Sequence, residues 1–142
     1  MAQNIRTDSP SSYEVDPITL RGLEIPNRIV VAPMCQYSAQ DGVPGNWHLV
    51  HLGQFAISGP GLTFVEATGV EPEGRISLGD TGLWSDEQEA AFRPIVEFFR
   101  HYGSGKIGMQ LAHAGRKASV QVPWKGGAPL KPEEGAWQTV GP

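Results

Sequence analysis

Three apolar, β-rich runs alternate with two stretches of helical periodicity, and this alternation constrains the fold more than any other feature of the chain. The runs are residues 27–32, 62–67 and 106–112. Short strands separated by helix-length segments are typical of parallel β/α units, because parallel neighbours need a long crossover connection. The sequence therefore predicts an α/β protein with parallel strands and helices packed outside them.

Both intervening segments carry helix signals. In the first, residues 46–58, the apolar residues lie near helical spacing, and Asn46 is the expected N-cap. In the second, Ser85 and Gln88 have the form of a capping box. Its apolar residues then repeat at i, i+3, i+4 and i+7: Phe92, Ile95, Val96 and Phe99. Pro94 lies inside this repeat and predicts a kink or a second helix.

A β-hairpin is predicted ahead of the first strand, where two short alternating runs within residues 18–25 flank Arg21-Gly22. Residues 1–16 are expected to form a flexible N-terminal arm. Residues 123–142 are rich in Gly and Pro and show neither helical nor strand periodicity. Because three parallel strands do not close a barrel, the chain is expected to be incomplete.

Charge and composition exclude several classes of function. The net charge is −4 and there is no run of Lys or Arg, so nucleic-acid binding is not expected. The apolar runs are too short to span a bilayer, and the polar N-terminus lacks the apolar core of a signal peptide. A single cysteine cannot form an internal disulfide. These features predict a soluble protein of the cytoplasm.

Candidate site residues lie near the carboxyl ends of the strands, where parallel α/β proteins bind ligands. Cys35 follows the first run in "VVAPMCQYS". Ala67 ends the second, where strand alternation places it on the face of Val65. In the third, strand alternation places Gln110 on one face with Gly108 and Ala112. The Gln110 amide offers a donor and an acceptor to the edge of a heterocycle. Two alternatives stay open: the amide is satisfied by neighbouring backbone, and Cys35 is a buried apolar thiol.

Other motifs point to no chemistry. The chain contains no P-loop and no G-x-S-x-G elbow. His48 and His51 are three residues apart, but no cluster of ligands completes a metal site, so both are expected at the edge of the core or in solvent. Trp84 and Trp124 lie near predicted loops and are interpreted as packing residues.

Four segments in order resemble the N-terminal portion of the Old Yellow Enzyme family, flavin-dependent ene-reductases, and within it the thermophilic-like subclass. They are "IPNRIVVAPMCQYS", "FVEATGVEPEGRIS", "GLWSDEQ" and "KIGMQLAHAGRKAS". The resemblance implies a (β/α)8 TIM barrel whose bottom is closed by the hairpin. Residues 17–122 would then supply the hairpin and about the first three β/α units, and residues 123–142 a truncated loop above the active site.

The resemblance also implies roles for single residues. The loop after the first strand would pack against FMN, with Cys35 tuning the reduction potential of the flavin. Ala67 would face the carbonyl edge of the flavin through its backbone, Gln110 would pair with its pyrimidine ring, and Tyr37 would contact the substrate. The flavin-packing residues of the loop are Ala32, Pro33, Met34 and Cys35. No metal is implied, and no catalytic residue is located in this chain.

The implied reaction passes a hydride from NADPH to FMN and then to the β-carbon of an activated alkene such as an enone. In the family, the groups that polarise the substrate and donate a proton follow the third strand. The chain is therefore expected to be inactive alone and to need the C-terminal remainder of the barrel as a second polypeptide; the completed enzyme is a possible homo-oligomer. The alternatives are a non-catalytic fragment or a related flavin barrel such as a dienoyl-CoA reductase.

Overall fold

A computed structural model describes residues 15–141, so residues 1–14 of the predicted arm lie outside the described residues. Six strands, two α-helices and four single-turn 3₁₀ helices make up the regular structure of this part of the chain. The strands are β1 (Ile18–Leu20), β2 (Leu23–Ile25), β3 (Val30–Val31), β4 (Leu62–Gly69), β5 (Thr81–Gly82) and β6 (Lys106–Ala112). The helices are α1 (Asn46–Ser58) and α2 (Asp86–Tyr102). Neither has the length and apolarity that a membrane-spanning helix needs.

The strands form an antiparallel hairpin and a parallel sheet. In the hairpin, Ile18 of β1 lies opposite Ile25 of β2, as the sequence predicts. In the sheet, β4 is central, and β6 pairs with it along its whole length. The other edge of β4 is shared by β3, which pairs at its start, and β5, which pairs at its end. The predicted β-α-β-α-β order is therefore confirmed.

The two helices cover one face of the parallel sheet. Their buried side chains and one strand residue form the core: Leu52, Ala56, Val65, Phe92, Ile95 and Phe99. Ile107 and Met109 of β6 pack against this cluster from the same face of the sheet. Burying such a side chain stabilises the fold by about 1.5–3 kcal/mol. The core therefore fixes which face of each strand turns toward the helices.

The start of α1 and the course of α2 at Pro94 differ from the sequence prediction. The N-cap of α1 is Gly45, not Asn46, and its N–H donates to His48 Nδ1 at 3.1 Å. Helix α2 runs unbroken through Pro94. Pro94 is exposed, whereas Ile95 and Phe99 face the core. The backbone bond that proline removes thus lies on the solvent side, where water can satisfy the freed carbonyl.

A β-bulge interrupts β4 at Glu66. Val65 lies opposite Met109, but the next paired residue is Ala67, opposite Gln110, so Glu66 is an additional residue in the strand. Uninterrupted alternation would place Ala67 on the face of Val65, as the sequence predicts, and that prediction is wrong. Since an inserted residue reverses the alternation, Ala67 shares the face of Gln110, away from the helices.

Glu66 is also the centre of a buried polar network. Its residue surface is 3% exposed. Its Oε2 accepts the Gln36 N–H at 2.7 Å, and its Oε1 lies 3.0 Å from His48 Nε2. Because His48 Nδ1 accepts the N–H of Gly45, the ring proton belongs on Nε2, facing the carboxylate. One side chain therefore ties β4 to the start of α1 and to the loop after β3.

Glu66→Ala is expected to lower the free energy of unfolding by about 3 kcal/mol, since it removes the buried carboxylate beside His48 Nε2 and leaves the Gln36 N–H without its acceptor. Urea denaturation of both proteins measures the difference. The matched control is Glu89→Ala, whose carboxylate pairs with Arg93 at 3.0 Å but is 65% exposed; its loss is expected to cost less than about 0.5 kcal/mol. Equal effects of the two substitutions would contradict the role given to Glu66.

Candidate functional site

The segment after β3, residues 32–39, is called the site loop here and runs without regular structure at the carboxyl edge of the sheet. It holds Ala32, Pro33, Met34, Cys35 and Tyr37, the five loop residues predicted from the sequence. Its conformation is fixed by hydrogen bonds inside the loop and by bonds to neighbouring segments. The Gln36 side chain donates to the Met34 carbonyl at 2.9 Å, and the Ala39 N–H donates to the Gly79 carbonyl at 2.9 Å. Together with the bond to Glu66, these contacts place the loop over the end of β4.

Three of the predicted site residues meet at Cys35. The half-buried Cys35 thiol forms hydrogen bonds with the backbone of Ala67 and the side chain of Tyr37. Burial raises the pKa of the Cys35 thiol, and the carboxylates of Asp80 and Glu66 raise it further, against smaller lowering by those hydrogen bonds. Burial also raises the pKa of Tyr37, with Cys35 adding to the effect. Both groups are therefore protonated at neutral pH.

A second buried carboxylate, Asp80, lies beneath the site loop. Asp80 is 1% exposed; its Oδ2 accepts the Ile76 N–H at 2.7 Å and its Oδ1 the Ser77 hydroxyl at 2.8 Å. Burial raises the pKa of Asp80 in spite of these hydrogen bonds. The adjacent Gly79 leaves no room for a side chain, because a Cβ there would lie 2.5 Å from the Tyr37 carbonyl oxygen. The backbone of Tyr37, at φ 50°, thus rests directly on this segment.

Gln110 lies beside this group on the face away from the helices. Its register partner is Ala67, and its side chain is exposed. Within residues 15–141 its amide forms no hydrogen bond, so neighbouring backbone does not satisfy it. Gly108 on the same face lies under the Phe64 ring, which a Cβ there would approach to 2.8 Å. The inner face of β6 therefore presents a free amide between two small residues, Gly108 and Ala112.

This arrangement fits a flat heterocycle. A free amide supplies a donor and an acceptor, its neighbours Gly108 and Ala112 on the same face of β6 are small, and the Cys35 thiol lies beside Ala67 at the edge of this face. Such a group of features can hydrogen-bond the edge of a planar heterocycle.

Some residues of the site were not predicted from the sequence. His48 is 1% exposed, so its expected position at the core edge or in solvent is wrong. Its partner Glu66 carries the one local signal, a carboxylate inside an apolar strand. Trp124, interpreted as a packing residue, has its ring centroid 5.8 Å from that of Tyr37, at 80° to it. Asp80 has no sequence signal that distinguishes it from a surface aspartate.

Comparisons with known proteins agree on one family. Residues 15–135 match the model of the NADH:flavin oxidoreductase / NADH oxidase family. The chain is 50% identical over 130 residues to NADH:flavin oxidoreductase FG08077 of Gibberella zeae, covering 91% of this chain and 31% of that protein. It is 47% identical over 107 residues to NADPH dehydrogenase of Bacillus subtilis, covering 74% and 31%. The chain thus spans about a third of the length of the curated relatives it matches.

Solved structures give the same result for the fold. Morphinone reductase in complex with tetrahydroNAD aligns with a TM-score of 0.68 at 35% identity, covering 75% of this chain and 28% of that one. Old Yellow Enzyme from Pichia sp. AKU4542 aligns with a TM-score of 0.72 at 28% identity, covering 84% and 31%. These neighbours are TIM barrels. They confirm the prediction that the hairpin and the parallel strands of this chain are part of a TIM barrel. By its motifs, its fold and its relatives, the chain belongs to the NADH:flavin oxidoreductase / NADH oxidase family, the group of Old Yellow Enzyme.

Proposed function

We propose that this chain forms the first part of the active site of an FMN-dependent ene-reductase that uses NADPH. The observation that carries the proposal is the exposed, unbonded amide of Gln110, in register with Ala67 and next to the Cys35–Tyr37 pair. Because the chain spans about a third of its relatives, the activity is proposed for a complete barrel that contains these residues.

The residues present fit FMN in a defined way. Gln110 would hold the pyrimidine edge, the backbone of Ala67 its carbonyl side, and Ala32, Pro33 and Met34 one face of the ring system. Bound FMN would supply hydride transfer from NADPH to the β-carbon of an alkene conjugated to a carbonyl group.

The side chains of this chain are proposed to position the cofactor and to donate hydrogen bonds, and not to form covalent bonds with the substrate. Tyr37 keeps its proton at neutral pH, so its hydroxyl can donate a hydrogen bond to a bound substrate. Cys35 keeps its proton too, and it offers a neutral, polarisable sulfur at the edge of the cofactor surface. Glu66 holds both residues in place through Gln36. The groups that polarise the substrate carbonyl are proposed to lie elsewhere in the barrel.

The open parts of the sheet support the need for more of the barrel. Among the described strands, β6 pairs only with β4, so its other edge presents unpaired backbone groups. Leu111, on the outer face of β6, is 62% exposed. We propose that the remaining β/α units of the barrel cover both surfaces. Native mass spectrometry of residues 1–142 alone tests this, and a stable monomer without flavin contradicts it.

The activity is tested by following flavin absorbance under anaerobic conditions in the completed protein. NADPH is expected to bleach the flavin band, and cyclohex-2-enone is expected to restore it with loss of the alkene. A sample without enone is the control and should stay bleached. A flavin that is reduced but never reoxidised by any enone would contradict ene-reduction while leaving the family membership intact.

Gln110→Leu is expected to weaken FMN binding by about 1–3 kcal/mol, or roughly 5- to 150-fold in Kd, because polar atoms of the buried heterocycle lose their partner. Flavin release measured by fluorescence gives the Kd. The matched control is Gln138→Leu, at an exposed glutamine whose side chain donates to the Thr139 carbonyl; the Kd of this variant for FMN should not change. Unaltered affinity in the Gln110 variant would refute the assignment.

Cys35→Ala is expected to shift the midpoint potential of the flavin and to change the rates of the two half-reactions in opposite senses. A second readout comes from the raised pKa of the thiol: iodoacetamide should modify native Cys35 slowly at neutral pH and faster only above the pH at which an ordinary thiol ionises. Potentiometric titration and mass spectrometry measure the two effects. An unchanged potential together with a large loss of melting temperature would favour the buried apolar thiol instead.

A further inference from the structure

We propose that Trp124 forms a wall of the substrate pocket and selects alkenes that carry a planar apolar substituent, such as an aryl group. The proposal rests on the proposed function, because it concerns the alkene that the enzyme accepts. Three observations support it. Hydrogen bonds hold Trp124 in a hairpin, the Trp124 ring contacts Tyr37, and most of the Trp124 ring is exposed.

Trp124 lies at the tip of a hairpin formed by residues 119–130, called the Trp124 hairpin here. Val120 and Pro129 form an antiparallel bridge. The Gln121 N–H donates to the Ala128 carbonyl at 2.8 Å, and the Leu130 N–H donates to the Ser119 carbonyl at 2.8 Å. The turn is closed by Gly126 at φ 101° and Gly127 at φ 64°, a left-handed conformation that favours glycine. The tip thus has a defined direction.

The base of the Trp124 hairpin is anchored to the rest of the fold. The Val120 N–H donates to the Ile76 carbonyl at 3.1 Å, beside the segment that supports Tyr37. Ser119 is buried, and its hydroxyl accepts the Trp137 N–H at 3.0 Å. The Gln121 side chain donates to Glu134 at 2.8 Å. These bonds hold the hairpin against the carboxyl edge of the sheet. The position of Trp124 is therefore fixed by the fold.

The ring of Trp124 contacts the site at Tyr37. The two rings are edge to face, 5.8 Å apart and 80° inclined, and Tyr37 in turn bonds Cys35. Yet Trp124 remains 66% exposed, far more than an aromatic residue that serves the core. Most of the ring is therefore available beside the residue proposed to contact substrate.

Two nearly perpendicular aromatic rings make an apolar corner with a polar hydroxyl at one side. An aryl substituent can pack against both rings, and such aromatic contacts stabilise binding beyond the area they bury. A small cyclic enone can reach the Tyr37 hydroxyl without extending to Trp124. The corner therefore predicts discrimination between substrates by the substituent, not by the conjugated carbonyl that both share.

The test compares kcat/KM for 4-phenylbut-3-en-2-one and cyclohex-2-enone in the FMN-loaded, completed enzyme. Trp124→Ala is expected to lower the ratio of aryl to small substrate about tenfold, because packing against the ring is lost. Trp124→Phe, which keeps a ring at the corner, is expected to retain most of the preference. Lys125→Ala changes the neighbouring exposed residue of the same tip and should leave the ratio unchanged.

The rate of FMN reduction by NADPH is measured in each variant to separate selection from damage to the fold. A similar rate in all of them, with a changed ratio only at Trp124, supports the assignment. If both Trp124 variants are active and keep the wild-type ratio, the proposal is overturned. This includes the case in which kcat/KM falls by the same factor for both alkenes. A wild-type enzyme that reduces neither alkene refutes the proposed function itself, and the substrate wall with it.

Discussion

The buried carboxylate of Glu66 is the constraint on which the site depends. A carboxylate that is 3% exposed must be partnered, because an unpaired buried charge costs several kcal/mol. Its partners come from two other parts of the chain: His48 in the first turns of α1 and the Gln36 N–H in the site loop. Since neither can move without leaving the charge unpaired, helix, strand and loop are held in one arrangement.

Glu66 acts through the backbone as well. As the inserted residue of the bulge, it reverses the alternation of β4 and turns Ala67 to the face of Gln110. Without the insertion Ala67 would face the helices, and the surface proposed for the flavin would lose one of its edges. The same residue therefore supplies the charge that fixes the loop and the geometry that aligns the strands beneath it.

Sequence reasoning succeeded where structure is local and periodic. Strand alternation placed Gln110 with Gly108 and Ala112, and the capping box placed the start of α2 at Ser85. It failed for Ala67, because a bulge leaves no mark on an alternating pattern, and for His48, whose partner is far along the chain. The Trp124 hairpin and β5 were missed for a related reason: each is held by bonds to distant segments and has little periodicity of its own.

The two carboxylates beneath the site loop, Glu66 and Asp80, favour the neutral thiol form of Cys35 over the thiolate. A thiol acts as a nucleophile only as its thiolate, and negative charges at Glu66 and Asp80 oppose that ionisation in a partly buried setting. Hydrogen bonds with Ala67 and Tyr37 act in the other direction but by less. Cys35 is therefore held neutral beside Ala67 and the exposed Gln110. The contribution proposed for it there is a polarisable sulfur and a hydrogen-bonding dipole, which can bias the electron affinity of a bound ring without forming a bond to it.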